Sequence, residues 1–388
     1  MFGLGSDNNA GTGQATSTPS VFGYAVADEP QAAIAGRQIL NLGGNAADAA
    51  ATEGFALAAT LPSRAGLGGG GSCLIKIPDA QGNDQPAVTL IFPPGTPATS
   101  GGARPAAVPT LARGLLALQA RYGVLAYPAV IVPAERLAGG AQVSPALAAD
   151  LQVVGPALLA DPAAASVFGT AGGVLASGAP LAQPDLAATL ETLRTQGVQG
   201  FYAGAFADQF IQAATQAGAR LSRADFAVAL PKFGTPDTAS SGGTTLFTLP
   251  VTQTTAQNLP ASAGFAALDK NGGIVVCAVT MNNLFGTGRV APGTGVLLAA
   301  APRVTPILAA GIAFNGEKFR AAVTGTGQSG AAEAVTAGLA NALANTNTPV
   351  PEPGRANTIS CPGGVPGGEA SCTASADPRG NGLAIGGR

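Results

Sequence analysis

The sequence predicts an α+β protein built around one large core, and three observations carry that reading. Before Pro231 the chain is rich in Ala-dominated stretches with leucines at helical spacing. From Asn258 to Gly295 apolar residues alternate around a KNGG turn, as two paired strands would, and the stretch runs on into a polar, glycine-rich loop ending in PGTG. Apolar residues make up 46% of the chain and charged ones 10%, enough for a large core behind a thinly charged surface. The 56 Gly and 30 Pro confine helices to the Ala-rich stretches.

Taken in order, residues 1–21 are small and polar and are expected to form a flexible tail, without the basic and apolar regions of a signal peptide. From Phe22 the pattern gives a short strand, then a helix from about Pro30 to Leu42 that Gly43 and Gly44 end. A second helix is expected from about Asn45 to Ala59, with Asn45 as its N-cap. The Gly66 to Gly71 run leads into the strand-like SCLIKI. It lacks the following helix and the Lys or Ser/Thr in register that a phosphate cradle needs, so it reads as a tight turn. Helical text follows, as in QPDLAATLETLRTQG, where Leu186, Leu190 and Leu193 share a face. Residues Pro231 to Asn258 are polar and low in complexity and are expected to be a linker. After Val304 the order is strand, NGE turn, strand, glycine loop (Gly325 to Gly330) and helix, and the segment from Pro349 is Pro/Gly-rich.

Several functions are excluded by composition. A net charge of −2 gives no electrostatic reason to bind nucleic acid or anionic lipid, and no apolar run is long enough to span a bilayer. There is no histidine, so Ser-His-Asp and Cys-His systems and the common His-containing zinc sites cannot be built. No cysteine pair has metal-site spacing either, and neither a metal nor a cofactor is expected. A hydrolase or transferase here needs another base, and a freed α-amine, of ordinary pKa about 7.7 to 8.0, is the natural one.

Of the four cysteines, Cys361 and Cys372 flank a Pro/Gly-rich loop that has little else to hold it. A disulfide is expected there, and with it an oxidising, periplasmic or secreted location. Cys73 and Cys277 lie in apolar runs and are expected to be buried free thiols.

GGNAADAA followed by GLGGGG, the Asp269 turn, the Thr280-x-Asn282 strand end, the FGTG loop of Phe285 to Gly288 and the closing SADPRG phrase together resemble the γ-glutamyltransferases. These are N-terminal-nucleophile hydrolases, and the resemblance runs with gaps from Phe22 onward. It implies a four-layer αββα sandwich, with residues 22–388 as one domain divided into a large-subunit-like part, 22–261, and a small-subunit-like part, 262–388. It also implies self-cleavage before Ser262, which stands where the family has its nucleophilic Thr, with Ala263 in place of a second Thr. Thr280 would hydrogen-bond the nucleophile region and Asn282 would contact substrate. The backbone N–H groups of Gln328 and Ser329, in VTGTGQSG, would take the place of the family's oxyanion-hole Gly-Gly pair.

Some family features are replaced. Pro93 stands where an Arg clamps the donor carboxylate, Pro302 and Arg303 stand at paired serines, VLLAAAPRV replaces an acidic segment, and the region before the cleavage point is shorter. The expected function is a divergent amide hydrolase or acyltransferase with an altered donor site, acting on a small-molecule amide or peptide. The alternative is a non-catalytic binding or structural subunit with protein partners, since Ser262 also reads as a strand-start serine and Thr280 and Asn282 as residues that satisfy backbone groups. A third reading is an amidase or acylase for apolar amides, suggested by the missing charged clamps.

Overall fold

Local signals in the chain set the first layer. In the computed structural model, which describes residues 22–99, 101–251 and 261–387, the Pro30–Asn41 helix starts at Glu29, whose carboxylate accepts the N–H of Ala32 at 3.0 Å. The next helix, Ala46–Thr60, opens with a full capping box: Asn45 accepts from Asp48 and Asp48 accepts from Asn45. Every residue of this second helix is buried. Its small side chains let it lie between the first helix, the helices Leu111–Tyr122 and Tyr127–Gly139, and a sheet. A helix buried on all sides needs such an enclosed place.

Two antiparallel sheets lie beneath it. The larger has seven strands in the order Leu383–Gly387, Gly23–Ala27, Ser262–Leu268, Ile274–Thr280, Gly70–Lys76, Val88–Phe92 and Lys232–Gly234. The smaller has six, with Ala309–Asn315, Lys318–Thr326 and Arg355–Val365 at its middle. Side chains alternate between faces along each strand. From Ser262–Leu268, Ala263 and Phe265 pack under the helices, while Ala266 and Leu268 meet Ile312, Phe314 and Ile359 of the second sheet. The far face of that second sheet packs Ala309, Ala321 and Val323 against the helix Ala331–Ala344. The architecture is therefore the expected αββα sandwich, with the hairpin of Ser262–Leu268 and Ile274–Thr280 supplying two middle strands of the larger sheet.

The structure changes three expectations. The region read as a linker carries strands: Lys232–Gly234 ends the larger sheet, and Asp237–Ser241 and Thr244–Thr248 form a hairpin that ends the smaller one. TASSGGTT is a hairpin because Gly242 and Gly243 both adopt positive φ, at +57° and +80°, as its two-residue turn demands. The Pro/Gly-rich segment contains the eleven-residue strand Arg355–Val365. Cys73 and Cys277, expected as free thiols, form a disulfide. The register sets them directly opposite each other on neighbouring strands, with Cα atoms 4.1 Å apart. Cys361 and Cys372 are bonded as expected. Residues 1–21, expected as a tail, and 252–260, the end of the expected linker, lie outside the described residues.

Candidate active site

Ser262 opens its strand opposite Thr280, which in turn faces Gly70 across the next pairing, so the Gly66 to Gly71 run lies one strand away from the hydroxyl. Glycine is needed at position 70 for close packing: a Cβ there would come within 2.1 Å of Thr110 Oγ1. Ser262 is 4% exposed, and its Oγ is buried with no hydrogen-bond partner. An orphaned buried hydroxyl costs stability.

The surrounding bonds fix the backbone on either side. Thr280 Oγ1 donates to the carbonyl of Ala261 at 2.6 Å and accepts the N–H of Asn282 at 3.0 Å. Asn282 sits at φ 58° and donates through Nδ2 to the carbonyl of Ala300 at 3.0 Å, while its Oδ1 is buried without a partner. From the second sheet, Thr326, Gly327 and Gln328 reach the same cavity as Ser262. Gln328 has φ 54°, in the left-handed region that glycine adopts more readily than a residue with a side chain. Ser329 is exposed and does not line the cavity.

This cavity, of about 450 Å³, is walled by charges that the sequence did not flag. Arg64 makes a two-pronged contact with Asp150, Nε to Oδ2 at 2.8 Å and Nη2 to Oδ1 at 2.6 Å, and Ser63 adds its hydroxyl at 2.7 Å. Asp28 accepts from the N–H of Gly264 at 2.8 Å and from Asn357 at 2.7 Å. Burial nonetheless raises its carboxyl above the ordinary value, against the pull of those bonds and of Arg64. Arg379 binds Asp377 through two nitrogens and Glu352 through the third, which seats the closing phrase of the sequence at the cavity's edge. A lone Arg inside the apolar LPSRAGLGGGG was the one available hint of this wall; its partner Asp150 comes from a helix far along the chain. Among the described residues no cluster of three or more His, Cys, Asp or Glu could hold a metal ion.

A profile of the gamma-glutamyltranspeptidase family matches residues 32–259, ending just short of the Ser262 strand. The chain is 31% identical over 242 residues to the glutathione hydrolase proenzyme of Escherichia coli strain K12, an alignment that covers 55% of this chain and 40% of that protein. It is 33% identical over 205 residues to the acylase ACY 1 proenzyme of Pseudomonas sp. strain V22, covering 47% and 36%. The matched stretch thus spans only about two fifths of these curated relatives. Superposed on a cephalosporin acylase from Bacillus halodurans, the structure gives a TM-score of 0.76 over 97% of this chain and 99% of that one at 17% identity, which shows a shared fold. With the family profile matched over more than half its length and the αββα architecture in place, the chain belongs to the gamma-glutamyltranspeptidase family.

Proposed function

We propose that this chain is a self-cleaving amide hydrolase or acyltransferase whose nucleophile is Ser262, with residues 22–261 and 262–388 as its two halves. The observation that carries the reading is the unpartnered, buried Ser262 hydroxyl next to a carbonyl, that of Ala261, already polarised by Thr280. In the first step Ser262 Oγ attacks that carbonyl carbon, the C–N bond to Ser262 breaks, and an ester joins Ala261 to the side chain. Water then cleaves the ester. The α-amine so released is the only base this histidine-free site needs: it takes the proton from Oγ when a substrate amide is attacked and gives it to the leaving amine. Water or an acceptor amine removes the acyl group. The backbone of Gln328 is assigned to the oxyanion, without Ser329, which lies outside the cavity, and Asn282 is assigned to substrate.

The donor site is read as altered, because Pro93 and Pro302 offer no charge and Arg303 stands where the family has serine. Two disulfides, and the absence among the described residues of a helix long and apolar enough to cross a membrane, are compatible with the periplasmic or secreted location we assign.

Intact mass and denaturing gels test the reading, run with reductant because Cys73 and Cys277 lie on opposite sides of the cut. Two pieces, meeting between Ala261 and Ser262 and absent from Ser262→Ala, are expected. A chain that stays whole for days, with no difference from Ser262→Ala, would overturn it in favour of a non-catalytic role.

A further inference from the structure

We infer that Asp28 is the counter-charge of the Ser262 α-amine, holding the ammonium that forms when that amine takes the proton of the hydroxyl. The inference rests on Ser262 as the nucleophile and adds a positioning residue to its reaction. Along a strand, residues two apart turn their N–H groups to the same side. Gly264 turns both of its backbone groups to Asp28: its carbonyl accepts the Asp28 N–H at 3.0 Å, and its N–H donates to Asp28 Oδ2 at 2.8 Å. The nitrogen of Ser262, two residues earlier, therefore faces the same flank. The strand Gly23–Ala27 has already ended there and the chain turns into the helix Pro30–Asn41, so among the described residues Asp28 makes the last bonds along that flank. Asp28 also lines the cavity that holds Ser262.

Charge around the cavity leaves Asp28 without a cation of its own. Arg64 is paired with Asp150, Arg379 with Asp377, and Arg355 with Glu352. Asp28 has only neutral partners, Gly264 N–H and Asn357 Nδ2, and no ion pair among the described residues. The field of Arg64 reaches it, but both prongs of that guanidinium are bound to Asp150, and Asp377 adds a like charge. Glu29, next in the chain, turns away to Ala32 N–H and the Thr60 hydroxyl. Thr324 and Thr326, which the second sheet presents to the same space, are neutral. Burial accordingly holds the Asp28 carboxyl above its ordinary range in the uncut chain, where the Ser262 nitrogen is an uncharged amide. Cutting the bond before Ser262 makes that nitrogen an amine and brings one positive charge to the flank where one negative charge is unmatched. The carboxylate then serves the ammonium as the Asp of a Ser-His-Asp triad serves the imidazolium. It stays ionised, orients the base and favours the protonated form, so the proton leaving Oγ meets a stronger acceptor.

The titration of the amine itself tests this. A factor Xa site in place of residues 258–261 of the full chain frees the Ser262 amine whether or not the chain cleaves itself. Trace labelling with acetic anhydride between about pH 6 and 10, read as acetylation of the peptide that starts at Ser262, then gives the amine's pKa. In the parent it is expected above the ordinary range of about 7.7 to 8.0, and Asp28→Asn should lower it by about one unit or more. Asn357→Ala removes a hydrogen bond from the same carboxylate but keeps its charge, so its titration should stay close to the parent's. A parent amine at or below the ordinary range would overturn the inference without recourse to any variant. So would an Asp28→Asn titration equal to the parent's, or an Asn357→Ala shift as large as that of Asp28→Asn. Failure of the unmodified chain to cleave itself would instead sink the proposed function and leave the labelling result standing.

Discussion

Thr280 and Ala261 are joined by a 2.6 Å hydrogen bond, hydroxyl to carbonyl, across the first pair of the Ser262–Leu268 and Ile274–Thr280 strands. The same hydroxyl accepts the N–H of Asn282, so one side chain holds both the bond proposed for cleavage and the turn that follows. Thr280→Val keeps the shape and removes both bonds. Self-cleavage should slow by roughly a hundredfold, as when one oxyanion donor is lost, while Thr280→Ser stays close to the parent. Time courses on reducing gels decide it, and equal rates for Val and Thr would remove Thr280 from the mechanism.

Glu53 gives a pH dependence unrelated to the site. It is fully buried in the Ala46–Thr60 helix, neither carboxylate oxygen has a partner, and burial pushes its carboxyl well above the ordinary value. A carboxyl raised by folding contributes stability that is complete below its unfolded pKa and is lost as pH rises through the folded one. The melting temperature should therefore fall with increasing pH over that window, and Glu53→Gln should flatten the slope. An identical pH profile for the variant would contradict the assignment.

Asp269 ties the turn between these two strands to the second helix. Its carboxylate accepts from Ala46 N–H at 3.0 Å, Asn271 N–H at 2.8 Å and Gly273 N–H at 3.0 Å. Asp269→Ala leaves these donors unsatisfied and should cost roughly 3 kcal/mol in denaturant unfolding. A loss below about 1 kcal/mol would mean that solvent replaces the carboxylate without difficulty.

Peptide mapping of native protein without reductant should recover two linked pairs, Cys73 with Cys277 and Cys361 with Cys372. Recovery of either pair as free thiols would remove the structural support for an oxidising location.

The replaced donor residues predict poor use of a γ-glutamyl anilide. Pro93 and Pro302 offer no charge, and no Asp or Glu lines the cavity that Arg303 borders. A kcat/KM within about tenfold of that for a carboxyalkanoyl anilide lacking the amine would show that the ammonium finds another partner.

Much of this was legible in the chain because it is local. Asn45 and Asp48 cap a helix three residues apart, KNGG closes a hairpin, and that hairpin alone puts Ser262 opposite Thr280. Features that require distant segments to meet were not. Cys73 and Cys277 are 204 residues apart, and nothing in SCLIKI or IVVCAV says that these two runs are neighbours. Arg64 and Asp150 likewise became partners only once their helices had docked. The Asp237 to Thr248 hairpin was hidden for a different reason: its first strand is exposed along its whole length, so it lacks the apolar alternation that marks a half-buried strand.

The Cys73–Cys277 bridge also changes what kind of molecule a cut chain would be. Two pieces held only by packing form a bimolecular assembly, whose melting temperature rises with concentration and whose halves part on dilution. With a covalent tie through the larger sheet, re-association is intramolecular and independent of how dilute the protein becomes. A secreted or periplasmic protein gains most from this, because nothing outside the cell keeps separated halves near each other.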